Sequence, residues 1–314
     1  MKAVVINQYG GRDKLMMARY PKPMPKADEV LIEMYATSIN PIDWKVREGH
    51  LQERLKFAFP IILGWDAAGV ISDVGSGVHD FEVGDRVFTR PPTTNRGTYA
   101  EYITAPADLV TKLPDKISFN EGASIPLVAQ TAWQCLFDFA DMKAGERVLI
   151  HGGAGGVGSM AIQIAKSYGA EVIATGSSES QDIIEQLGAD QFINYRTQTF
   201  ENDVDSVDIV LDTIGGETQS RSFDVLTSGG RLVSIAQPPD EKKAKSKGIK
   251  AGFVWLEPDG ERLKRLAFML EDDQLKPLIA KTFPFSEEGM QEAHHMSEEG
   301  HAKGKIIIEI RSET

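Results

Sequence analysis

The run His151-Gly152-Gly153-Ala154-Gly155-Gly156-Val157-Gly158 carries the most specific chemistry in the chain. The apolar stretch before it, Arg147 to Ile150, reads as a buried parallel strand, and Ser159 to Tyr168 after it reads as a helix. Gly153, Gly155 and Gly158 therefore fit G-x-G-x-x-G in a strand–turn–helix setting. Glycines allow a tight turn and a close approach of backbone to a pyrophosphate. The helix N-terminus then offers free N–H groups and a positive dipole end to that anion. Ala154, Gly156 and Val157 complete the expected contact set. The same glycines also suit a purely structural turn, so the elements around them carry the argument.

The next strand, Glu171 to Thr175, ends at Gly176-Ser177-Ser178. A fold selective for NAD usually has Asp or Glu here, gripping the ribose 2′-OH. Gly176 removes that carboxylate, and Ser177 and Ser178 offer hydroxyls to a 2′-phosphate. Tyr195, after the third strand, adds another. Glu179 opposes this reading, and no Arg or Lys follows directly. The serines equally suit a plain helix N-cap. The expectation is NADP(H), with Asp212 and Ile235 at the ends of the fourth and fifth strands completing the cofactor set.

These residues need a frame. From about Asn120 the chain alternates helix and strand, with strands at Arg147–His151, Glu171–Thr175, Gln191–Asn194, Asp208–Asp212 and Arg231–Ile235. That alternation predicts α/β architecture, a doubly wound parallel sheet. The first third is β-rich, with turn signals at Gly75-Ser76-Gly77 and Val83-Gly84-Asp85. A loop is expected over Gln237–Lys250, then a short strand, Gly252 to Leu256, and a helix, Asp259 to Glu271. A polar helix, Ser286 to Glu299, and a strand, Lys305 to Ile310, end the chain and return to the first domain. The expected division is 1–120, 121–262 and 263–314.

With 314 residues the chain is long enough for two domains. A net charge of -12 argues against a nucleic-acid partner, which needs a basic face. The lysines of Glu241–Lys247 read as a solvated surface. Cys135 is the one cysteine, so no internal disulfide forms. No signal-peptide layout and no membrane-length apolar run are present. The expectation is a soluble cytoplasmic protein without a membrane partner.

The layout resembles the medium-chain dehydrogenase/reductase superfamily over nearly the whole chain. The resemblance rests on Gly64-Trp65-Asp66-Ala67-Ala68-Gly69, Val83-Gly84-Asp85-Arg86-Val87, Gly97-Thr98-Tyr99-Ala100-Glu101-Tyr102, the glycine turn and Gly304-Lys305-Ile306-Ile307. Within the superfamily it is similar to the zinc-free NADPH:quinone oxidoreductase branch, with its alkenal and enone reductases. Pro284-Phe285, Ala293-His294 and Gly300-His301-Ala302-Lys303-Gly304-Lys305 fit that branch as well. The resemblance implies a Rossmann-type sheet beside a GroES-like β-rich substrate domain, a homodimer, and NADPH as cofactor. It places Thr131 by the nicotinamide and Lys305 in the cofactor set.

Zinc-dependent members carry Cys where this chain has Asn40, and Gly-His-Glu where it has Gly64-Trp65-Asp66. A catalytic zinc needs about three N or S ligands plus an open site, so no metal is expected. The implied chemistry is hydride transfer from NADPH, in a cleft between domains, to a small electrophile, a quinone or an α,β-unsaturated carbonyl. A 2-enoyl-thioester reductase and a non-catalytic NADPH-binding protein are the alternatives. Asn40, Asp43, Lys45 and Trp65 are the catalytic candidates. Asn40 either holds the ribose or a carbonyl, or caps a helix opened by Pro41. Asp43 either relays a proton or sits in the first helical turn as a capping carboxylate. Lys45 either protonates an enolate or is solvated. Trp65 either walls a pocket for a flat ring or packs in the core. His294 and His295 sit side by side on a helix and read as solvated.

Overall fold

The computed structural model describes residues 1–300 and 302–313, so His301 of the C-terminal motif lies outside the described residues. The chain forms two compact units. One comprises Met1–Leu127, Pro258–Asp273 and Pro277–Thr314; the other comprises Val128–Glu257 and Gln274–Lys276.

The first unit opens with β1 (Lys2–Ile6), β2 (Met16–Arg19), the long β3 (Glu29–Ile39) and α1 (Pro41–Arg47). It continues through β4 (Ile61–Ile62), β5 (Ala67–Val74), β6 (Arg86–Thr89), β7 (Tyr102–Pro106), β8 (Val110–Lys112) and α2 (Phe119–Ala123). β2, β1 and β4 make a small antiparallel sheet, and β3 is the spine of a larger one, pairing with β5 and β7. β3 buries residues on both faces over its second half, where the returning terminal strand also pairs with it. Ile6, Leu63, Trp65, Tyr99, Met290 and Ile308 pack one apolar core here.

The second unit holds the nucleotide-type topology. α3 (Pro126–Trp133) leads to β9 (Arg147–Ile150), α4 (Gly156–Ser167), β10 (Glu171–Gly176), α5 (Gln181–Gln186) and β11 (Gln191–Asn194). α6 (Phe200–Asp203), β12 (Val207–Asp212), α7 (Gly216–Ser222), β13 (Leu226–Ser234), α8 (Glu241–Lys247) and β14 (Lys250–Phe253) follow. The strands line up as β11-β10-β9-β12-β13-β14, all parallel. This is the Rossmann order, which reverses direction at β9 and opens the ligand crevice at that switch point.

The chain then returns to the first unit as α9 (Gly260–Glu271), β15 (Ile279–Pro284), α10 (Glu287–Glu299) and β16 (Lys305–Glu309). β16 pairs antiparallel with β3, setting Ile306 opposite Ile39.

One expectation needs correcting. Part of the loop expected over Gln237–Lys250 is helix α8. Asp240 caps it, accepting the Lys242 and Lys243 N–H groups at 2.8 and 3.0 Å. Gly248 ends it in the left-handed conformation, as a helix C-terminus favours.

Candidate functional site

The glycine turn joins β9 to α4 through backbone contacts that few residues other than glycine permit. Gly153 donates its N–H to Thr175 O at 2.8 Å, which ties the turn to β10. A Cβ on Gly158 would stand 2.2 Å from Gly152 O, so the helix start packs directly on the turn. Gly155 differs. It is the N-cap of α4, in extended conformation, with no side chain capping the helix. A Cβ there would meet only Gly152 O, at 3.3 Å. The N–H groups of Gly156, Val157 and Gly158 stand in the first helical turn, beyond reach of the helix's own carbonyls. Gly155, Gly156 and Val157 are partly exposed, while Gly153 and Ala154 are buried. An uncapped, accessible helix N-terminus behind an open glycine fits the pyrophosphate of a dinucleotide.

Beneath the turn lies His151, buried, with its ring fixed at both nitrogens. Ser222 Oγ donates to Thr218 O at 2.7 Å and so accepts from His151 Nε2 at 2.9 Å. Thr175 Oγ1 accepts the Gly152 N–H at 3.2 Å and gives its own proton to His151 Nδ1, also at 3.2 Å. Burial pulls the imidazole down to about 4, against the opposing fields of Asp212 and Glu201. Unfolded chain takes up this proton below about pH 6.5, whereas folded chain resists until about 4. Stability is therefore lost as pH falls through that window, by about 3 kcal/mol from this residue. His151→Gln should show a correspondingly shallower decline between pH 6.5 and 4 in urea titrations. An unchanged slope would contradict the assignment.

The end of β10 gathers the expected ribose-side residues. Gly176 is tightly packed: a Cβ would stand 2.5 Å from Ile184 Cδ1 and 2.7 Å from Ser180 Oγ. Tyr195 donates its N–H to Gly176 O at 3.2 Å and is 55% exposed. Ser177 is half-buried and Ser178 is exposed. The missing cation is Arg196, beside Tyr195. Its guanidinium bridges both oxygens of Glu179, at 3.0 and 3.3 Å. Glu179 is held down to about 2, chiefly by the Ser177 hydroxyl. The sequence signal was present, two residues beyond Asn194, and only the pairing of β10 with β11 brings it here.

Asp212 is fully buried, and its carboxylate is committed to its own turn. It accepts the Ile214 and Gly215 N–H groups, Gln219 Nε2 at 3.0 Å and Ser234 Oγ at 2.8 Å. Ile235 lies just past β13, half-buried. Thr131 is buried on α3.

In the first unit, Asn40, Asp66 and Lys305 form one buried cluster. Asp66 Oδ2 accepts Ser38 Oγ and Asn40 Nδ2, each at 2.7 Å, and Oδ1 accepts the Leu127 N–H at 2.7 Å. The Lys305 ammonium donates to Asn40 Oδ1 and to Ile39 O at 3.0 Å, with Asp66 Oδ2 at 3.5 Å. Burial lowers the Lys305 ammonium, while Asp66 and Asp43 oppose this. Buried Arg90 is pulled to about 10 by the same cause. Asn40 is the N-cap of α1 by position, with Pro41 first in the helix. Its amide is spent on Asp66 and Lys305, and Asp43 supplies the reciprocal bond, accepting the Asn40 N–H at 2.8 Å.

Trp65 is fully buried in the core, its indole N–H donated to Thr94 O at 3.2 Å, which fits the packing alternative. One expectation changes. His294 is fully buried rather than solvated, because it shares the inward face of α10 with Met290 and Ala293. That face was legible in the spacing of positions 290, 293 and 294. Lys45 is half-buried, 5.6 Å from the Trp44 ring centroid. Asp66, Arg90, Tyr99, Arg47 and Arg196 were missed as site residues.

Asn40, Trp65 and Asp66 stand where the resemblance implies that zinc-dependent members carry metal-site residues. Of these only Asp66 has a carboxylate, and its oxygens already serve four partners. Among the described residues no group of three or more His, Cys, Asp or Glu is placed to hold a metal ion. No helix among them is long and apolar enough to cross a membrane.

Residues 187–308 match the family described as "Zinc-binding dehydrogenase", and residues 26–115 match "Alcohol dehydrogenase GroES-like domain". The chain is 34% identical to the human protein named quinone oxidoreductase, covering 98% of this chain and 97% of that one. It is 34% identical to the NADPH-dependent alkenal/one oxidoreductase, chloroplastic, of Arabidopsis thaliana, covering 98% and 79%. The Escherichia coli quinone oxidoreductase complexed with NADPH superposes with a TM-score of 0.88 at 28% identity, over 99% of this chain and 100% of that one. The chain belongs to the medium-chain dehydrogenase/reductase superfamily, as an oxidoreductase related to its quinone and alkenal/one oxidoreductases.

Proposed function

We propose that this chain is an NADPH-dependent, zinc-independent reductase of quinones or α,β-unsaturated carbonyls. The observation that carries the proposal is the open glycine at the uncapped start of α4. When bound, NADPH supplies a hydride from nicotinamide C4. The N–H groups of Gly156, Val157 and Gly158 hold the pyrophosphate, and the α4 dipole favours its charge. Arg196, Tyr195, Ser177 and Ser178 are the residues that would hold the 2′-phosphate, with Arg196 released from its bond to Glu179. The NADPH-bound relative supports this choice of cofactor.

The donor set supports zinc independence. Asn40 and Trp65 replace two ligands, and the Lys305 ammonium lies where Asp66 and Asn40 meet. Without a Lewis acid the acceptor must already be electrophilic, as a quinone or enone is. Orientation and water exclusion then do most of the work. The alkenal/one oxidoreductase relative keeps the enone beside the quinone as acceptor. A homodimer and the division at about residues 120 and 262 belong to the same proposal.

The test is NADPH oxidation with 9,10-phenanthrenequinone and, separately, with an enone, with NADH and a chelator as controls. Turnover that prefers NADPH and survives the chelator is expected. Arg196→Ala should lower the NADPH-to-NADH preference by roughly tenfold, through loss of a charge-assisted phosphate contact. Chelator-sensitive turnover, or a preference unmoved by Arg196→Ala, would overturn the corresponding part of the reading.

A further inference from the structure

A chain of buried hydrogen bonds runs from Asp43 through α10 to the protein surface. Tyr99 Oη lies 2.7 Å from Asp43 Oδ2 and 3.1 Å from His294 Nε2. His294 Nδ1 lies 3.1 Å from Arg47 Nη1. Arg47, fully buried, also donates to Glu298 and Glu48, at 2.7 and 2.6 Å, and to Gly10 O at 3.0 Å. Its outer end meets a surface pocket of about 530 Å³ that Arg12, Glu48, Gln291 and Glu298 also line.

The direction of every bond is fixed. A guanidinium only donates, so His294 Nδ1 accepts and Nε2 bears the proton. Nε2–H then donates to Tyr99, and the Tyr99 hydroxyl donates to Asp43. Burial and the Arg47 charge hold His294 down to about 3, which keeps the imidazole neutral. A guanidinium has donors and no acceptor, so the chain orients groups and relays no protons from the pocket.

At the inner end, Asp43 Oδ2 takes both the Tyr99 hydroxyl and the Asn40 N–H, while Oδ1 is buried with no partner among the described residues. We infer that Arg47, His294 and Tyr99 are positioning residues whose one-way donor chain keeps Asp43 an acceptor for the Asn40 N–H, and so sets Asn40 against Asp66 and Lys305. Its consequence for catalysis rests on the reductase reading; its geometry does not. The groups acting on Asp43 are Tyr99, Asp66, Lys305 and Arg90. Burial pushes the Asp43 carboxyl up to about 7; the Asn40 N–H, Tyr99 and Lys305 act against this, and Asp66 adds to it. Removing the Tyr99 hydroxyl removes one donor to the anion, so the carboxyl must rise further.

The experiment compares wild type, Tyr99→Phe and His294→Gln in the full chain, with ¹³C-carboxyl-labelled aspartate. The Asp43 midpoint should rise by about one pH unit in Tyr99→Phe. For the acceptor, kcat/KM should fall roughly tenfold at pH 6.5 and recover towards pH 9, following the same ionisation. KM for NADPH should stay unchanged. His294→Gln, whose amide can both accept and donate, should keep the wild-type profile. An unmoved Asp43 midpoint, or an activity loss equal at every pH, would overturn the inference. If Tyr99→Phe does not fold, the ¹⁵N shifts of wild-type His294 decide: a proton on Nε2 supports the chain and one on Nδ1 refutes it. Absence of turnover in wild type would overturn the reductase reading, while the Asp43 titration still tests the chain.

Discussion

Gly155→Val is expected to fold like wild type and to bind NADPH about a thousandfold more weakly, a loss of ~4 kcal/mol. The backbone at Gly155, with φ -73° and ψ 172°, is one that any L-residue adopts. Within the chain its Cβ would touch only Gly152 O, at 3.3 Å, which a small shift relieves. The cost therefore falls on the ligand: the valine methyls would fill the space through which a pyrophosphate reaches the first N–H groups of α4. Gly158→Val is the contrasting case. Its Cβ would lie 2.2 Å from Gly152 O and 2.9 Å from Gly153 Cα, both backbone atoms. That overlap cannot be relieved by rotating a side chain, so Gly158→Val should lose stability whether or not ligand is present. Thermal denaturation and NADPH titration by calorimetry separate the two. A folded Gly155→Val with wild-type affinity would remove the main support for the dinucleotide reading.

What the sequence revealed depended on how local each feature is. The glycine turn, the strands on either side and the β10 terminus are set within a few residues of each other, and spacing alone located them. α8 was equally local, since Asp240 and Gly248 mark its two ends, but Pro238-Pro239 and the lysines drew the reading towards a loop. The Asp66 cluster and the His294 chain are different in kind. Lys305 meets Asn40 across 265 residues, and Tyr99 meets His294 across 195. Such contacts exist only because β16 returns to pair with β3, and no periodicity within one element announces them. Arg196 lies between these extremes. It is adjacent to Tyr195, which was noticed, yet its bond to Glu179 depends on the parallel register of β10 and β11. Trp65 was open to two readings, a pocket wall or core packing, and its buried ring packs against Phe57 and the surrounding aliphatics.

Asp66→Ala is expected to destabilise the chain by about 3–5 kcal/mol, because it leaves a buried ammonium without its counter-charge. Lys305 is 4% exposed and Asp66 0%. After the substitution Lys305 keeps Ile39 O and Asn40 Oδ1, both neutral acceptors, with only the field of Asp43, and Arg90 loses the favourable field of Asp66. Ser38 Oγ, Asn40 Nδ2 and the Leu127 N–H lose their acceptor in the same step. Lys305→Met should cost less, since Asp66 retains those three donors and Arg90 still opposes its charge. The two changes are in direct contact and so must couple. In Asp66→Asn/Lys305→Met neither charge of the pair remains, and the one amide oxygen of the asparagine can still accept on one side. That variant should be more stable than Asp66→Ala, as replacement of whole buried pairs often is. Urea denaturation of Asp66→Asn, Lys305→Met and their double variant measures the coupling. Strictly additive losses would mean that Asp66 and Lys305 are held by their separate neutral partners, and that their mutual attraction contributes little to placing Asn40.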